Sequence, residues 1–294
     1  MVSVLRRALL LAAMLCVTAQ IAGCGAAPMV AFRLGAAHRN LTYCNGQQLD
    51  LYVPRAAVGS TLPLAIYVHG GGMTAGDKSD LNPVFLDTLA SAGYAVASVN
   101  YRLAPQFEFP DQIEDVKCAV RWLRARAPQY GLNESEMFAF GTSVGGQLVA
   151  LAALTGPHSS FDVGPYRAEP STLRAVADLF GPANLTEQAS GFSASGIQAV
   201  FGKTDHHELL LASPTHFVVR NAPPILLVQG VDDTKVLKSQ SIELYRDLES
   251  VGDPTQLVMV QHMGHMFMQV GPRPIDPNLG QIANEITKFF DSKI

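Results

Sequence analysis

Residues 137–146, MFAFGTSVGG, combine the end of a strand, a sharp turn and the start of a helix. The apolar run 137–140 predicts a buried strand, and the apolar residues 144–154 predict a helix directly after the turn. Residues 141–145 fit the pattern Gly-x-Ser-x-Gly, in which glycines permit a turn tight enough to expose the serine hydroxyl. Because so short a pattern also occurs in glycine-rich turns with an idle serine, its meaning depends on the rest of the chain.

Apolar runs on either side of this segment predict an α/β domain. The predicted strands are residues 63–68, 94–100, 137–140, 176–180, 225–228 and 256–260. The clearest predicted helices are residues 111–126, 144–154, 238–251 and 281–292. Apolar strands separated by helices indicate a mostly parallel twisted sheet with helices on both faces.

The domain boundaries follow from the segments that do not fit this alternation. Residues 41–53, divided by Asn45-Gly46, predict an N-terminal β-hairpin, and the small, polar residues before it predict a tether. We therefore expect a tether over 24–40 and one domain over 41–294. Residues 156–213 are rich in Gly, Ser and Pro, which predicts lid or substrate-wall insertions.

A second glycine-rich segment, HGGG at residues 69–72, follows the predicted strand 63–68. Glycines allow backbone N–H groups to approach a developing oxyanion that side chains would otherwise block. A flexible strand-end turn would also contain glycines. The position of this segment about seventy residues before the serine turn, each after its own strand, favours the oxyanion-hole interpretation.

The candidate acid is Asp233, which follows the predicted strand 225–228. Carboxylates at the C-terminal ends of parallel strands face the crevice where α/β folds bind ligands. Asp232 competes with it. The position of Asp233, three residues after Gly230 and three before Val236, favours Asp233, which leaves Asp232 as a turn residue.

The candidate base is His265, which follows the last predicted strand, 256–260, and lies directly after Gly264. A loop position allows one imidazole nitrogen to reach a serine and the other a carboxylate. We expect His262 to end the strand. The other histidines, at positions 38, 69, 158, 206, 207 and 216, show no metal-binding spacing.

The first residues indicate export. Residues 1–23 contain Arg6 and Arg7, then the apolar run 8–17, which is too short to span a bilayer as a helix. The following Cys24 comes after one apolar and two small residues, as in the lipobox of bacterial lipoproteins. We therefore expect cleavage before Cys24, lipidation of its thiol and anchoring to a membrane in the cell envelope. The alternative is a secreted protein cut near residues 25–27.

Composition excludes one class of partner. The chain has 294 residues, 48% of them hydrophobic, and carries 21 Lys and Arg against 25 Asp and Glu, a formal net charge of −4. Phosphate backbones require a basic surface, so no nucleic-acid partner is expected. The absence of CxxC and HExxH motifs gives no support for a metal or cofactor.

Cys44 and Cys118 are the remaining cysteines once residues 1–24 are set aside. A disulfide is possible in an oxidising compartment. Cys118 falls in a helical apolar pattern with Val116, Ala119 and Trp122, so we expect a buried free thiol.

Four segments together resemble the hormone-sensitive-lipase-like and feruloyl-esterase-like carboxylesterases, which have the α/β-hydrolase fold. They are HGGG at residues 69–72, GDKS at 76–79, NYRLAP at 100–105 and FPDQIEDV at 109–116. The resemblance extends from about Leu49 to the last predicted helix. It implies hydrolysis of a small-molecule carboxylic ester without a cofactor.

The resemblance also implies residue roles. Ser143 is then the nucleophile, His265 the general base and acid, and Asp233 the orienting carboxylate. Their order in the chain is that of α/β-hydrolases. The oxyanion-hole candidates are Gly70, Gly71, Gly72 and Val144, with N–H donors at Gly71, Gly72 and Val144.

The chain departs from many of these relatives beside the serine. They carry an acidic residue before it and Ala after it, where this chain has Thr142 and Val144. The branched Val144 side chain is stiff and would narrow the acyl pocket. We therefore expect a preference for short, acetyl-type acyl chains.

Two other functions compete with an esterase. Residues 76–80 also resemble those of arylformamidases, which would make an amide the substrate. Some proteins of this fold are inactive receptors or adhesion modules, but these usually lack one of the three catalytic residues, and this chain has candidates for all of them.

Overall fold

The computed structural model describes residues 34–55, 59–187, 191–202 and 206–294. The strands are β1 Leu34–Thr42, β2 Gln48–Pro54, β3 Leu62–Val68, β4 Ala95–Val99, β5 Leu132–Thr142, β6 Val176–Leu179, β7 Ile225–Gly230 and β8 Thr255–Val260. The α-helices are α1 Pro83–Ser91, α2 Asp111–Tyr130, α3 Val144–Thr155, α4 Ala194–Phe201, α5 His206–Leu211, α6 Lys238–Val251 and α7 Leu279–Asp291.

The eight strands form one sheet in the order β1-β2-β4-β3-β5-β6-β7-β8. β2 pairs antiparallel with β1 and β4, and the strands from β4 to β8 are parallel. Helices cover both faces, as predicted, and the chain has the α/β-hydrolase fold. Since parallel strands end at the same edge, the loops after β3, β5, β7 and β8 meet there.

Alternating side chains of the central strands divide the core into two layers. Leu64, Ile66 and Val68 of β3 face the layer that packs against α2, α3 and α6. Ala65 and Tyr67 face the other layer, which packs against α1 and α7. The strands are buried on both faces, which explains their continuous apolar sequences.

β1 begins earlier than predicted. Residues 34–40, predicted as the end of a tether, form the first part of this strand, which pairs with β2 from Leu34 opposite Pro54. The Arg39 guanidinium donates hydrogen bonds to the side chains of Asp50 and Tyr52 in β2. These small and polar residues are held by pairing rather than by an apolar pattern, so sequence periodicity did not reveal them.

Residues 156–213 contain more structure than predicted, including α4 and α5. Residues 156–175 connect the end of α3 to the start of β6, away from the sheet edge that carries Ser143. Buried α2 side chains hold this connection: Arg121 pairs with Asp162 at 2.7 Å, and Lys117 with Asp162 at 3.0 Å. These residues therefore form a fixed loop outside the predicted substrate wall.

The N-terminal predictions on residues 1–23 and Cys24 lie outside the described residues. Within the ranges that the structure describes, no helix is long and apolar enough to cross a membrane.

Cys44 and Cys118 form a disulfide, so the expectation of a free thiol is wrong. Cys44 begins the short 3₁₀ turn between β1 and β2, and this turn packs against α2. The two Cα atoms lie 6.2 Å apart, within the range that a disulfide requires. Both residues are buried, and the helical pattern around Cys118 could not show that Cys44 packs against the same helix face.

The disulfide should contribute strongly to stability. The two cysteines are 74 residues apart, and in the chain-entropy account a cross-link over such a loop stabilises by about 4 kcal/mol. Cys118→Ala is therefore expected to lower the free energy of unfolding by about that amount in urea titrations. Reduced wild-type protein serves as the control and should match the variant. Free thiols at both Cys44 and Cys118 in unfolded, unreduced wild-type protein, located by alkylation and peptide mass spectrometry, would contradict the assignment.

Candidate functional site

Ser143 lies at the sharp turn between β5 and α3. Its backbone has φ 54° and ψ −127°, a strained conformation for a residue other than glycine. Its N–H donates to the Leu179 carbonyl at 2.9 Å, and its carbonyl accepts from the Gln147 N–H at 3.1 Å. The sheet on one side and the helix on the other therefore hold the strained turn in place.

The glycines of the Gly-x-Ser-x-Gly motif are required by close backbone approach. A Cβ atom at Gly145 would lie 2.1 Å from the Val68 carbonyl oxygen, and one at Gly141 would lie 2.3 Å from the Gly145 carbonyl oxygen. Side chains at these positions would separate α3 from β3 and β5. The turn therefore requires these glycines, and the motif is not a chance match in a glycine-rich segment.

The structure brings Ser143, His265 and Asp233 together, although 122 and 32 residues separate His265 from the other two. His265 Nε2 lies 3.0 Å from Ser143 Oγ, and His265 Nδ1 lies 2.7 Å from Asp233 Oδ2. With the proton on Nδ1 donated to Asp233, Nε2 accepts the hydrogen bond from the Ser143 hydroxyl. This arrangement can accept a proton from Ser143 when its oxygen attacks an electrophile.

Asp233 accepts hydrogen bonds at both of its carboxylate oxygens. Its side chain is 0% exposed, and its Oδ1 accepts the backbone N–H groups of Lys235 at 2.8 Å and Val236 at 3.1 Å. Its Oδ2 is left for His265. The histidine thus bonds to Asp233 rather than to the neighbouring Asp232, the alternative that the sequence offered.

Gly70, Gly71, Gly72 and Val144 line the same cavity as Ser143. At Gly70 a Cβ atom would lie 3.3 Å from Ser143 Cβ, and at Gly71, with φ +107°, it would lie 2.1 Å from the Ala75 carbonyl oxygen. Val144 is the first residue of α3, so its N–H has no acceptor within the helix. Backbone N–H groups at a helix start and a glycine-rich loop suit an anion beside Ser143.

His69 supports the glycine-rich loop from behind. Its buried ring stacks on Tyr101 with a centroid distance of 4.3 Å, and its Nδ1 donates to the Gly70 carbonyl at 2.7 Å. Burial lowers the pKa of His69, which favours the neutral ring. The Tyr101 hydroxyl donates to the His69 carbonyl at 3.1 Å. These contacts fix the backbone path that leads to Gly71 and Gly72.

The cavity around Ser143 has a volume of about 700 Å³. The other lining residues are Tyr67, Gly76, Asp80, Pro182, Gly191, Phe192, Lys235, Val236 and Met266. Of the described part of 156–213, only 182, 191 and 192 contribute to the wall. Tyr67 was hidden inside an apolar strand, and no sequence signal distinguished it from a core residue.

Tyr67 lines the cavity next to the turn that carries Ser143. Its hydroxyl lies 3.0 Å from Thr142 Oγ1, next to Ser143. Burial raises the pKa of Tyr67 to about 12, so its hydroxyl stays protonated at neutral pH. The Thr142 hydroxyl therefore has a neutral partner.

Full burial also raises the pKa of Asp178 in β6 to about 7, although its Oδ1 accepts the Gly181 N–H at 2.8 Å. Among the described residues, no cluster of three His, Cys, Asp or Glu side chains could hold a metal ion.

A family model, two curated relatives and a solved structure are similar to this chain. The sequence model of the BD-FAE family matches residues 49–248. The chain is 29% identical over 212 residues to Esterase LipC of Mycobacterium tuberculosis, which covers 70% of this chain and 53% of LipC. It is 28% identical over 214 residues to Ethyl acetate hydrolase of Pseudomonas putida, which covers 70% of this chain and 66% of that protein. The chain thus spans between about half and two thirds of these curated relatives.

A solved structure of a truncated carbohydrate esterase from gut microbiota superposes with a TM-score of 0.77. It is 27% identical, and the match covers 89% of this chain and 97% of that chain. The similarity therefore extends over nearly all of the described fold.

Proposed function

This chain belongs to the BD-FAE family of α/β-hydrolases, and from that premise we propose that it is a serine carboxylesterase. The observation that carries the proposal is the hydrogen-bonded chain from Ser143 through His265 to Asp233. The named relatives, an esterase and an ethyl acetate hydrolase, support the same reaction class. The resemblance to hormone-sensitive-lipase-like enzymes at residues 69–79 agrees with it.

In the proposed reaction Ser143 is the nucleophile and His265 is first the base and then the acid. His265 Nε2 takes the Ser143 proton as Oγ attacks the ester carbonyl, and the imidazolium is stabilised by Asp233 at Nδ1. The N–H groups of Gly71, Gly72 and Val144 bind the negative oxygen of the tetrahedral intermediate. His265 then protonates the leaving alcohol and gives an acyl-enzyme. Water repeats these steps and releases the acid.

The proposed substrates are esters of short acyl chains, including acetyl esters. Val144 follows Ser143 in the chain, and its side chain is buried at the cavity wall. A longer acyl chain on Ser143 would contact it there. Ethyl acetate hydrolase and the carbohydrate esterase indicate two alcohol classes to test, a simple alcohol and a sugar.

A series of nitrophenyl esters from acetate to decanoate tests this proposal. We expect kcat/KM to fall by about tenfold or more from acetate to octanoate, because one or more excess methylenes at about 1–3 kcal/mol each cannot be accommodated beside Val144. A steady rise toward decanoate would contradict the acyl-chain assignment. Higher kcat/KM on N-formyl aromatic amides than on acetates would favour an arylformamidase instead.

Val144→Ala provides the matched variant for this series. It keeps the backbone N–H but removes the branched side chain, so the ratio of octanoate to acetate activity should rise. Val236→Ala removes the same methyl groups from another wall of the cavity. A larger rise with Val236→Ala than with Val144→Ala would place the acyl chain elsewhere.

The proposed location is the cell envelope, with Cys24 lipidated and residues 1–23 removed. The support is the sequence pattern alone. Secretion without a lipid is the alternative, and incorporation of labelled palmitate into wild-type protein but not into Cys24→Ala separates the two.

A further inference from the structure

The Phe180 ring packs against the imidazole of His265, the residue that bonds to both Ser143 and Asp233. The two rings meet nearly edge to face, with centroids 5.1 Å apart and an interplanar angle of 68°. Phe180 also packs against Phe267, two residues after His265, with centroids 5.0 Å apart. Phe180 is 0% exposed and does not line the cavity, so it does not reach a substrate.

The backbone at Phe180 is strained. Its φ of +50° lies in the left-handed region, where a bulky residue is an outlier that surrounding structure must impose. The Phe180 N–H donates to the Val228 carbonyl at 2.8 Å, which extends the pairing of β6 with β7 by one residue. The next N–H, that of Gly181, donates to Asp178 Oδ1 at 2.8 Å. These two bonds hold the N–H groups of Phe180 and Gly181, which lie on either side of the Phe180 Cα atom.

Asp178 fits a niche made by two glycines. A Cβ atom at Gly181 would lie 2.4 Å from Asp178 Oδ1, and one at Gly146, in the first turn of α3, would lie 2.1 Å from the same atom. Asp178 Oδ2 is buried and has no hydrogen-bond partner within the described part of the chain. Burying a carboxyl group with an unpaired oxygen costs folding free energy. Because stability does not explain its presence, the position of Asp178 points to a role in shaping this turn.

We propose that Asp178 and Phe180 are positioning residues for His265: the Asp178 carboxyl holds the turn, and the turn presses the Phe180 ring against the imidazole. The contact restricts the plane of the ring to the one in which Nε2 faces Ser143 and Nδ1 faces Asp233. The proposal rests on the esterase function above for its kinetic consequence. Its geometric consequence can be measured without a substrate.

Phe180→Leu tests the ring, and Phe85→Leu is its control. Phe85 is also buried and also packs against Phe267, at 5.6 Å between centroids, but its ring contacts do not include His265. We expect kcat for nitrophenyl acetate to fall at least about tenfold in Phe180→Leu with KM within about twofold, because a misaligned base slows proton transfer without changing the cavity. Phe85→Leu should change kcat by less than about threefold. Equal kcat values in the two variants would overturn the proposal.

Asp178→Asn and Asp178→Ala test the turn. Asn keeps an oxygen that accepts the Gly181 N–H, whereas Ala does not. We expect Asp178→Asn to restore most of the kcat that Asp178→Ala loses. If both lose kcat equally, the role of the hydrogen bond is refuted.

The downfield proton signal of His265 Nδ1–H reports the geometry directly. It should be sharp in wild type and Phe85→Leu, and broadened or shifted in Phe180→Leu. An unchanged signal in Phe180→Leu would refute the proposal even if no ester is hydrolysed. If wild type hydrolyses no ester but the signal responds as expected, the proposed function fails and the positioning role stands.

Discussion

Replacing Ser143 by Ala is expected to lower kcat for nitrophenyl acetate by about 10⁴- to 10⁶-fold. Alanine has no nucleophile to form the acyl-enzyme, and only the oxyanion-hole N–H groups and substrate binding would continue to act. Backbone hydrogen bonds to Leu179 and Gln147 hold the turn, so removing the Ser143 hydroxyl should leave the fold intact. Initial rates at saturating ester, with circular dichroism to check folding, measure the effect.

Ser135→Ala is the control, because Ser135 is an exposed serine whose side chain bonds only locally, to Asn133. It should retain wild-type kcat. Combining Ser143→Ala with His265→Ala should cost little more than Ser143→Ala alone, since residues that act as a unit are not additive. Wild-type turnover in Ser143→Ala would refute the mechanism.

Replacing Asp233 by Asn is expected to lower kcat by about 10⁴-fold. The Asn oxygen takes the place of Oδ1, which accepts the Lys235 and Val236 N–H groups, so its NH₂ group faces His265 and donates to Nδ1. The imidazole proton is then on Nε2, which cannot accept the Ser143 proton. The backbone N–H groups of Lys235 and Val236 can still bond to the Asn oxygen, so the loop should keep its shape.

Asp232→Asn is the matched control, one residue away and with the same loss of charge. It should change kcat by less than about threefold. A larger loss in Asp232→Asn than in Asp233→Asn would reverse the assignment of the acid and contradict the bond from His265 to Asp233.

The sequence predicted those elements that have a distinctive local pattern of residues. The turn at residues 141–145 was recognisable because close packing admits only glycine at Gly141 and Gly145. Continuous apolar runs marked the parallel strands, and α6 begins and ends at the predicted residues. Because these strands end at one edge, the order of their loops was enough to bring together Ser143, Asp233 and His265.

What the sequence did not predict depends on packing between distant segments. The disulfide joins Cys44 to a helix 74 residues away, and no local pattern records that approach. Phe180 looked like the last residue of an apolar strand, yet its backbone turns and its ring meets His265. Residues 156–175 looked like a substrate wall, whereas buried ion pairs with α2 hold them away from the cavity.

Treating wild-type protein with a fluorophosphonate and locating the adduct by mass spectrometry of peptides tests directly whether Ser143 is the nucleophile. We expect one adduct per chain, on Ser143, with much slower labelling in His265→Ala and Asp233→Asn. An adduct on any other residue, or an unmodified Ser143 after prolonged treatment of folded protein, would contradict it.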